Sequence, residues 1–175
     1  MKFGRIFLAL VLTVALGSKV SKAQTPDANL AINQNHYKTA VGVIAGYPSG
    51  ISFKQFYSGM NALEVIAGFH GNAIRGTFLL EKHVTAGPPS LHWYYGFGAH
   101  AAFWVDRPYY ETPWYPSSYR EGEIGLGVDA VLGIEYKIPP IPFAVSFDVK
   151  PLLEVTTDGD IAAGIGPGLG IKVTF

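Results

Sequence analysis

From residue 36 to the end, the chain alternates apolar and polar positions with a period of two, with few interruptions. A strand turns successive side chains to opposite faces, whereas a helix repeats every 3.6 residues, so this pattern predicts strands. Residues 143–155 (FAVSFDVKPLLEV) show it clearly. Phe143, Val145, Phe147, Val149, Pro151, Leu153 and Val155 share one parity, and Ala144, Ser146, Asp148, Lys150, Leu152 and Glu154 share the other. Residues 124–138 set Ile124, Leu126, Val128, Ala130, Leu132, Ile134, Tyr136 and Ile138 against Gly125, Gly127, Asp129, Val131, Gly133, Glu135 and Lys137. Residues 91–106 do the same, and shorter segments follow suit at 36–47, 50–58, 62–70 and 73–85. With 160–175 the pattern predicts eight strands. The breaks between them are rich in Gly, Pro, Ser and Asn, as turns require. Only 106–122 is long.

Alternation alone does not say which parity faces inward. The polar parity combines glycines with charges of both signs: Lys54, Glu64, Arg75, Glu81, Asp129, Glu135, Lys137, Asp148, Lys150, Glu154 and Lys172. An eight-stranded barrel has an interior just wide enough for side chains. Glycines would leave room there and opposite charges could pair, so Arg75, Glu81, Asp129, Glu135, Asp148, Lys150, Glu154 and Lys172 are the candidate lumenal charge network. The apolar parity then forms the outer band that lipid demands. Tyr37, Tyr57, Trp93, Tyr136 and Phe175 are expected in a girdle at one end of the strands, with Tyr47, Phe69 and Phe103 at the other. The expected fold is all-β, an eight-stranded antiparallel up-and-down transmembrane β-barrel. The alternative is a soluble periplasmic barrel whose Val, Leu and Phe parity lines an interior for a small apolar ligand.

The first residues give the compartment. In MKFGRIFLALVLTVALGSKVSKAQ, Lys2 and Arg5 precede an apolar run from Ile6 to Leu16, and Ser21-Lys22-Ala23 supplies small residues before a cut. That run is shorter than the roughly 20 residues a spanning helix needs, so it reads as a signal peptide. The organisation expected is a signal peptide at 1–23, a polar lead-in at 24–35 and a barrel at 36–175. Removing residues 1–23 leaves nine basic and 13 acidic residues, a formal charge of −4. No basic patch remains for nucleic acid. The absence of cysteine excludes disulfides, thiolate metal sites and a cysteine nucleophile. After the cut no apolar run is long enough for a spanning helix, though only 15% of the residues are charged.

The leader, the eight alternating segments and the terminal Phe175 resemble the small outer-membrane β-barrel proteins of the OmpA/OmpX-like class, and in particular short single-domain barrels of Bacteroidetes type. GIEYKIPPIPFAVSFDVKP (133–151) resembles a recurring penultimate hairpin of those barrels, and the resemblance covers about 36–175. Leu169, Ile171, Val173 and Phe175 resemble the signal read by the barrel-assembly machinery. The resemblance implies the outer membrane of a Gram-negative bacterium, a structural or surface-interaction role, outer-membrane lipid as surroundings and no cofactor. Unlike full OmpA-type proteins, the chain is expected to lack a peptidoglycan-binding domain.

The remaining motifs read as structure more readily than as chemistry. Gly96–Ala101 and Gly125–Ala130 match G-x-G-x-x-A, but a dinucleotide site needs a helix opening at the glycines, and both lie inside strand-period segments. His92 and His100 share a parity eight residues apart, roughly 26 Å at strand rise, too far to share an ion. His83 and His92 flank one turn and could approach each other. A lipid-modifying barrel enzyme would need a nucleophile and base near the outer rim. His100 and Asp106 are the residues placed there, with Ser117 and Ser118 in the long loop, so this stands as a further alternative. Within 106–122, Tyr109, Tyr110, Trp114, Tyr115 and Tyr119 offer an aromatic contact surface to an extracellular partner or to lipid headgroups.

Overall fold

The alternating segments form eight strands: β1 (Thr39–Gly46), β2 (Ser49–Ser58), β3 (Asn61–His70), β4 (Ala73–Thr85), β5 (Leu91–Trp104), β6 (Ile124–Ile138), β7 (Phe143–Thr156) and β8 (Ile161–Thr174). The computed structural model describes residues 37–70, 72–105 and 121–175. The leader, the lead-in and residues 106–120, with Asp106, Tyr109, Tyr110, Trp114, Tyr115, Ser117, Ser118 and Tyr119, lie outside the described residues. Every strand is antiparallel to the next, and β1 pairs with β8 to close the barrel. Tyr37 and Phe175 mark the lower rim, where the β2–β3, β4–β5 and β6–β7 connections also lie. The β1–β2 and β7–β8 connections lie at the opposite, upper rim, with the upper ends of the other strands.

The register fixes the shape. Partners followed from Ala40 run through Lys54, Glu64, Leu79, Gly98, Asp129 and Leu152 to Gly164. Continuing the β1–β8 register, Gly164 would face position 50. One circuit therefore climbs ten residues. At a strand rise of about 3.3 Å and a spacing of about 4.8 Å, eight strands with that stagger tilt by about 41° and enclose a backbone cylinder of about 8 Å radius. Side chains alone can fill such a space.

The parities divide as a barrel wall requires. In β4, Ala73, Arg75, Thr77, Leu79, Glu81 and His83 are buried, while Ile74, Gly76, Phe78, Leu80, Lys82 and Val84 are exposed. Across the described residues the outer surface is apolar and the buried set is largely polar and charged. The interior of a small-ligand barrel lined by the Val, Leu and Phe parity is not what forms: Val128, Leu132, Phe97 and Phe147 point outward.

Two sequence expectations are corrected. Tyr37 and Tyr47 do not join a girdle: both turn inward and are only 7% and 8% exposed, whereas Tyr57, Trp93, Tyr136, Phe69, Phe103 and Phe175 stand outside. Lys137 leaves the interior because it sits at the lower rim, where its ammonium reaches the carbonyl of Ile141 at 2.7 Å. Pro167 is also accommodated within β8 without a bulge, since β7 and β8 keep one register from Phe143↔Val173 to Val155↔Ile161. The Pro167 carbonyl accepts the Tyr47 N–H at 2.8 Å. A residue's N–H and C=O point to the same neighbour in an antiparallel ladder. The donor that Pro167 lacks would therefore face β1 where that strand turns away. Pro151 differs, because its nitrogen faces β6 and the ladder there is interrupted opposite Ala130 and Val131.

Candidate functional site: the filled lumen

The interior is layered along the barrel axis, and β4 carries the sequence of layers on one face: His83, Glu81, Leu79, Thr77, Arg75, Ala73. Lowest is an aromatic and alanine layer of Tyr37, Ala40, Phe56, Ala62 and Ala144, with Tyr37 edge-on to Phe56 at 5.2 Å. It closes the bottom against the charges above.

The lower charge cluster comes next. The Lys54 ammonium lies 2.7 Å from Glu81, 3.3 Å from Glu64 and 3.4 Å from Glu135, and 4.3 Å above the Tyr94 ring. Lys172 reaches Glu64 at 2.7 Å and Glu135 at 3.7 Å. Tyr37 donates its hydroxyl to Glu135 at 2.6 Å, and Ser52 donates to Glu64. His83 faces Glu81 at 3.0 Å and stacks on Tyr94 at 4.9 Å. Desolvation of such ions is costly unless each is paired and hydrogen-bonded. Three carboxylates around two ammoniums pair every ion, and the Tyr37 and Ser52 hydroxyls brace Glu135 and Glu64, while Glu81 Oε1 makes no hydrogen bond.

Above this cluster lies an apolar septum of Ile44, Ile66, Leu79 and Val131, with Tyr94 beneath. Beside it Lys150 pairs with Asp148, which also accepts the Tyr94 hydroxyl at 2.7 Å. Gly133 makes this possible, since a Cβ there would sit 2.6 Å from the Tyr94 ring and 2.7 Å from the Asp148 Cβ.

The upper charge cluster is built on Arg75. Its guanidinium lies 2.7 Å from Asp129 and 3.8 Å from Glu154, and donates to the Tyr47 hydroxyl at 3.2 Å. His100 bridges the two acids, with Nδ1 at 2.7 Å from Asp129 and Nε2 at 2.9 Å from Glu154. Tyr47 lies over Gly166, with its ring 3.7 Å from that of His70. Burial pushes the Tyr47 phenol upward against the opposing pull of Arg75, which keeps it a neutral partner. Ala73, Ala102, Trp104 and Ala162 cap the stack.

The candidate charge residues thus fall into two clusters and a pair: Glu81, Glu135 and Lys172 below, Arg75, Asp129 and Glu154 above, and Asp148 with Lys150 between. Sequence reasoning missed the septum. Its signal was present as single apolar residues on the polar parity, Ile66 between Glu64 and Gly68 and Leu79 between Thr77 and Glu81. His83 and His92 do approach, with ring centroids 6.5 Å apart. Among the described residues no group of three or more His, Asp or Glu could hold a metal ion. His100 lies deep in the wall with both nitrogens engaged, rather than at the rim. No family model, curated protein or solved structure matches the chain.

Proposed function

We propose that the chain is an integral outer-membrane β-barrel of the OmpA/OmpX-like kind, with a structural or surface-interaction role and a lumen plugged by its own side chains. The observation that carries this reading is the inverted polarity. Lys54, Glu64, Glu154 and Lys172 are at most 1% exposed, while Phe97, Phe69, Ile161 and Phe175 are 65% or more exposed. Water would favour the reverse arrangement, since large apolar patches on soluble chains mark contact surfaces. A bilayer favours this one, because a closed barrel pairs its backbone internally and turns an apolar band to lipid. In this reading the leader is cleaved near Ala23, the barrel-assembly machinery engages the strand ending in Phe175, and the loop at 106–122 faces the exterior.

Fractionation tests the proposal. The chain should be recovered with outer membranes, require detergent for extraction and migrate differently on gels before and after heating. Recovery from a detergent-free periplasmic extract as a monodisperse soluble protein would overturn it.

A further inference from the structure

The upper end of the barrel wall is stepped. β7 accompanies β8 up to Val155↔Ile161, whereas β1 accompanies it only to Gly46↔Gly168, with one further bond from Tyr47 to Pro167. Among the described residues, 161–166 of β8 therefore rise above the β1–β2 turn with no strand on that side. At about 2.5 Å of axial climb per tilted residue, the step is about 15 Å high. Residues of the parity of Pro167, namely Ile161, Ala163 and Ile165, turn their backbone groups toward this gap. The rim then climbs again from β2 through β3 to the long strands, so the low point is confined to the β1–β3 side.

The step falls within the apolar band. Following partners round the wall puts Val128 about 3 Å nearer the upper end than Ser49, and Leu153 about 6 Å nearer. Val128 and Leu153 are exposed and surrounded by apolar neighbours on the outer face. Ser49, by contrast, opens β2 directly after the β1–β2 turn and ties that turn down: its hydroxyl accepts from the Gly46 N–H at 3.0 Å and donates to the Gly46 carbonyl at 3.1 Å. Hydrocarbon does not tolerate a free strand edge or a turn, whereas water and headgroups do.

We propose that the β1–β3 face holds a local depression of the outer leaflet, in which lipid headgroups and water descend to the β1–β2 turn and hydrate the free edge of β8. The occupant is the polar zone of the bilayer itself. A wall with a short hydrophobic height on one side and a tall one on the other draws the bilayer thinner on the short side, since mismatch costs less than an unsatisfied edge. The protein would then act as a one-sided thinning element in its membrane. This inference rests on the outer-membrane reading.

The chain has no cysteine, so single-cysteine variants are clean probes. Ser49→Cys and Phe69→Cys report the low side, and Val128→Cys and Leu153→Cys report the tall side near the same height. Each is reconstituted in phosphatidylcholine nanodiscs and reacted with a charged, membrane-impermeant maleimide. The two low-side thiols should react at least about tenfold faster than the two tall-side thiols, corresponding to about 1.4 kcal/mol of difference in access to water. Slow reaction of all four would show the low side covered by hydrocarbon or protein, and would overturn the depression while leaving the membrane reading intact. Fast reaction of all four would overturn both. Amide exchange in the same discs gives an independent measure. Ala163 and Ile165 should exchange fast, and protection equal to that of Leu153 would overturn the proposal.

Discussion

Asp148 and Lys150 sit on one strand, buried beside the septum, and hold each other and the Tyr94 hydroxyl. Removing one ion of such a pair strands the other in a dry site, which costs about 3–5 kcal/mol, whereas replacing both by apolar groups is often neutral. Lys150→Met should therefore lower the unfolding free energy of the reconstituted barrel by that amount, read as a lower urea midpoint, and Asp148→Leu/Lys150→Met with Tyr94→Phe should recover most of it. An unaltered midpoint in the single variant would show that the pair is not dry. Phe175 poses the opposite case. Its backbone closes the seam, with its N–H donated to the Thr39 carbonyl at 2.7 Å, while its ring is 72% exposed. Phe175→Ala should leave the unfolding free energy within about 0.5 kcal/mol, as surface changes do. If the ring is an assembly signal, the same variant should reduce the heat-modifiable fraction in outer membranes severalfold. A loss of stability with normal assembly would assign the ring to packing instead.

At the scale of strands, the glycines separate into two kinds. Gly127 faces the lumen, where an added Cβ would collide with the His100 ring and the Leu153 carbonyl. Gly76 faces outward, and a Cβ there would meet nothing within 4 Å. Gly127→Ala should cost about 1–3 kcal/mol through overpacking. Gly76→Ala should gain about 0.5–1 kcal/mol by reducing backbone freedom in the unfolded chain. Equal effects in denaturant titrations would contradict the assigned faces. The strands themselves were legible because period two fixes which face each residue takes, and the charges Arg75, Glu81, Asp129 and Glu154 followed from parity alone. Parity fails beyond the last ladder pair. Tyr37 and Tyr47 lie just outside β1, so their direction depends on the room that a distant residue leaves, as Gly166 does for Tyr47. The septum was hidden for a related reason. Ile44, Ile66, Leu79 and Val131 belong to four strands, and only the tilt and stagger of the closed wall bring them to one level.

For the whole molecule, the layering decides what the lumen can pass. Two charge clusters attract ions from either end, but between them Ile44, Ile66, Leu79 and Val131 leave no polar group to replace a hydration shell, apart from the Asp148–Lys150 pair at the wall. An ion crossing this level would shed water without compensation, which is the action of a hydrophobic constriction. The barrel should show no ohmic conductance in a planar bilayer at neutral pH. Removing the guanidinium of the upper cluster by Arg75→Gln should not change that, because the barrier lies below it. Ile66→Ser with Leu79→Ser places hydroxyls at the septum while Lys54, Glu64 and Glu81 keep their partners. That variant should conduct small cations measurably, provided heat-modifiable migration confirms a folded barrel. If instead Arg75→Gln opens the lumen and the septum variant does not, the barrier resides in the upper ion pairs, and the septum serves only to hold the two clusters apart.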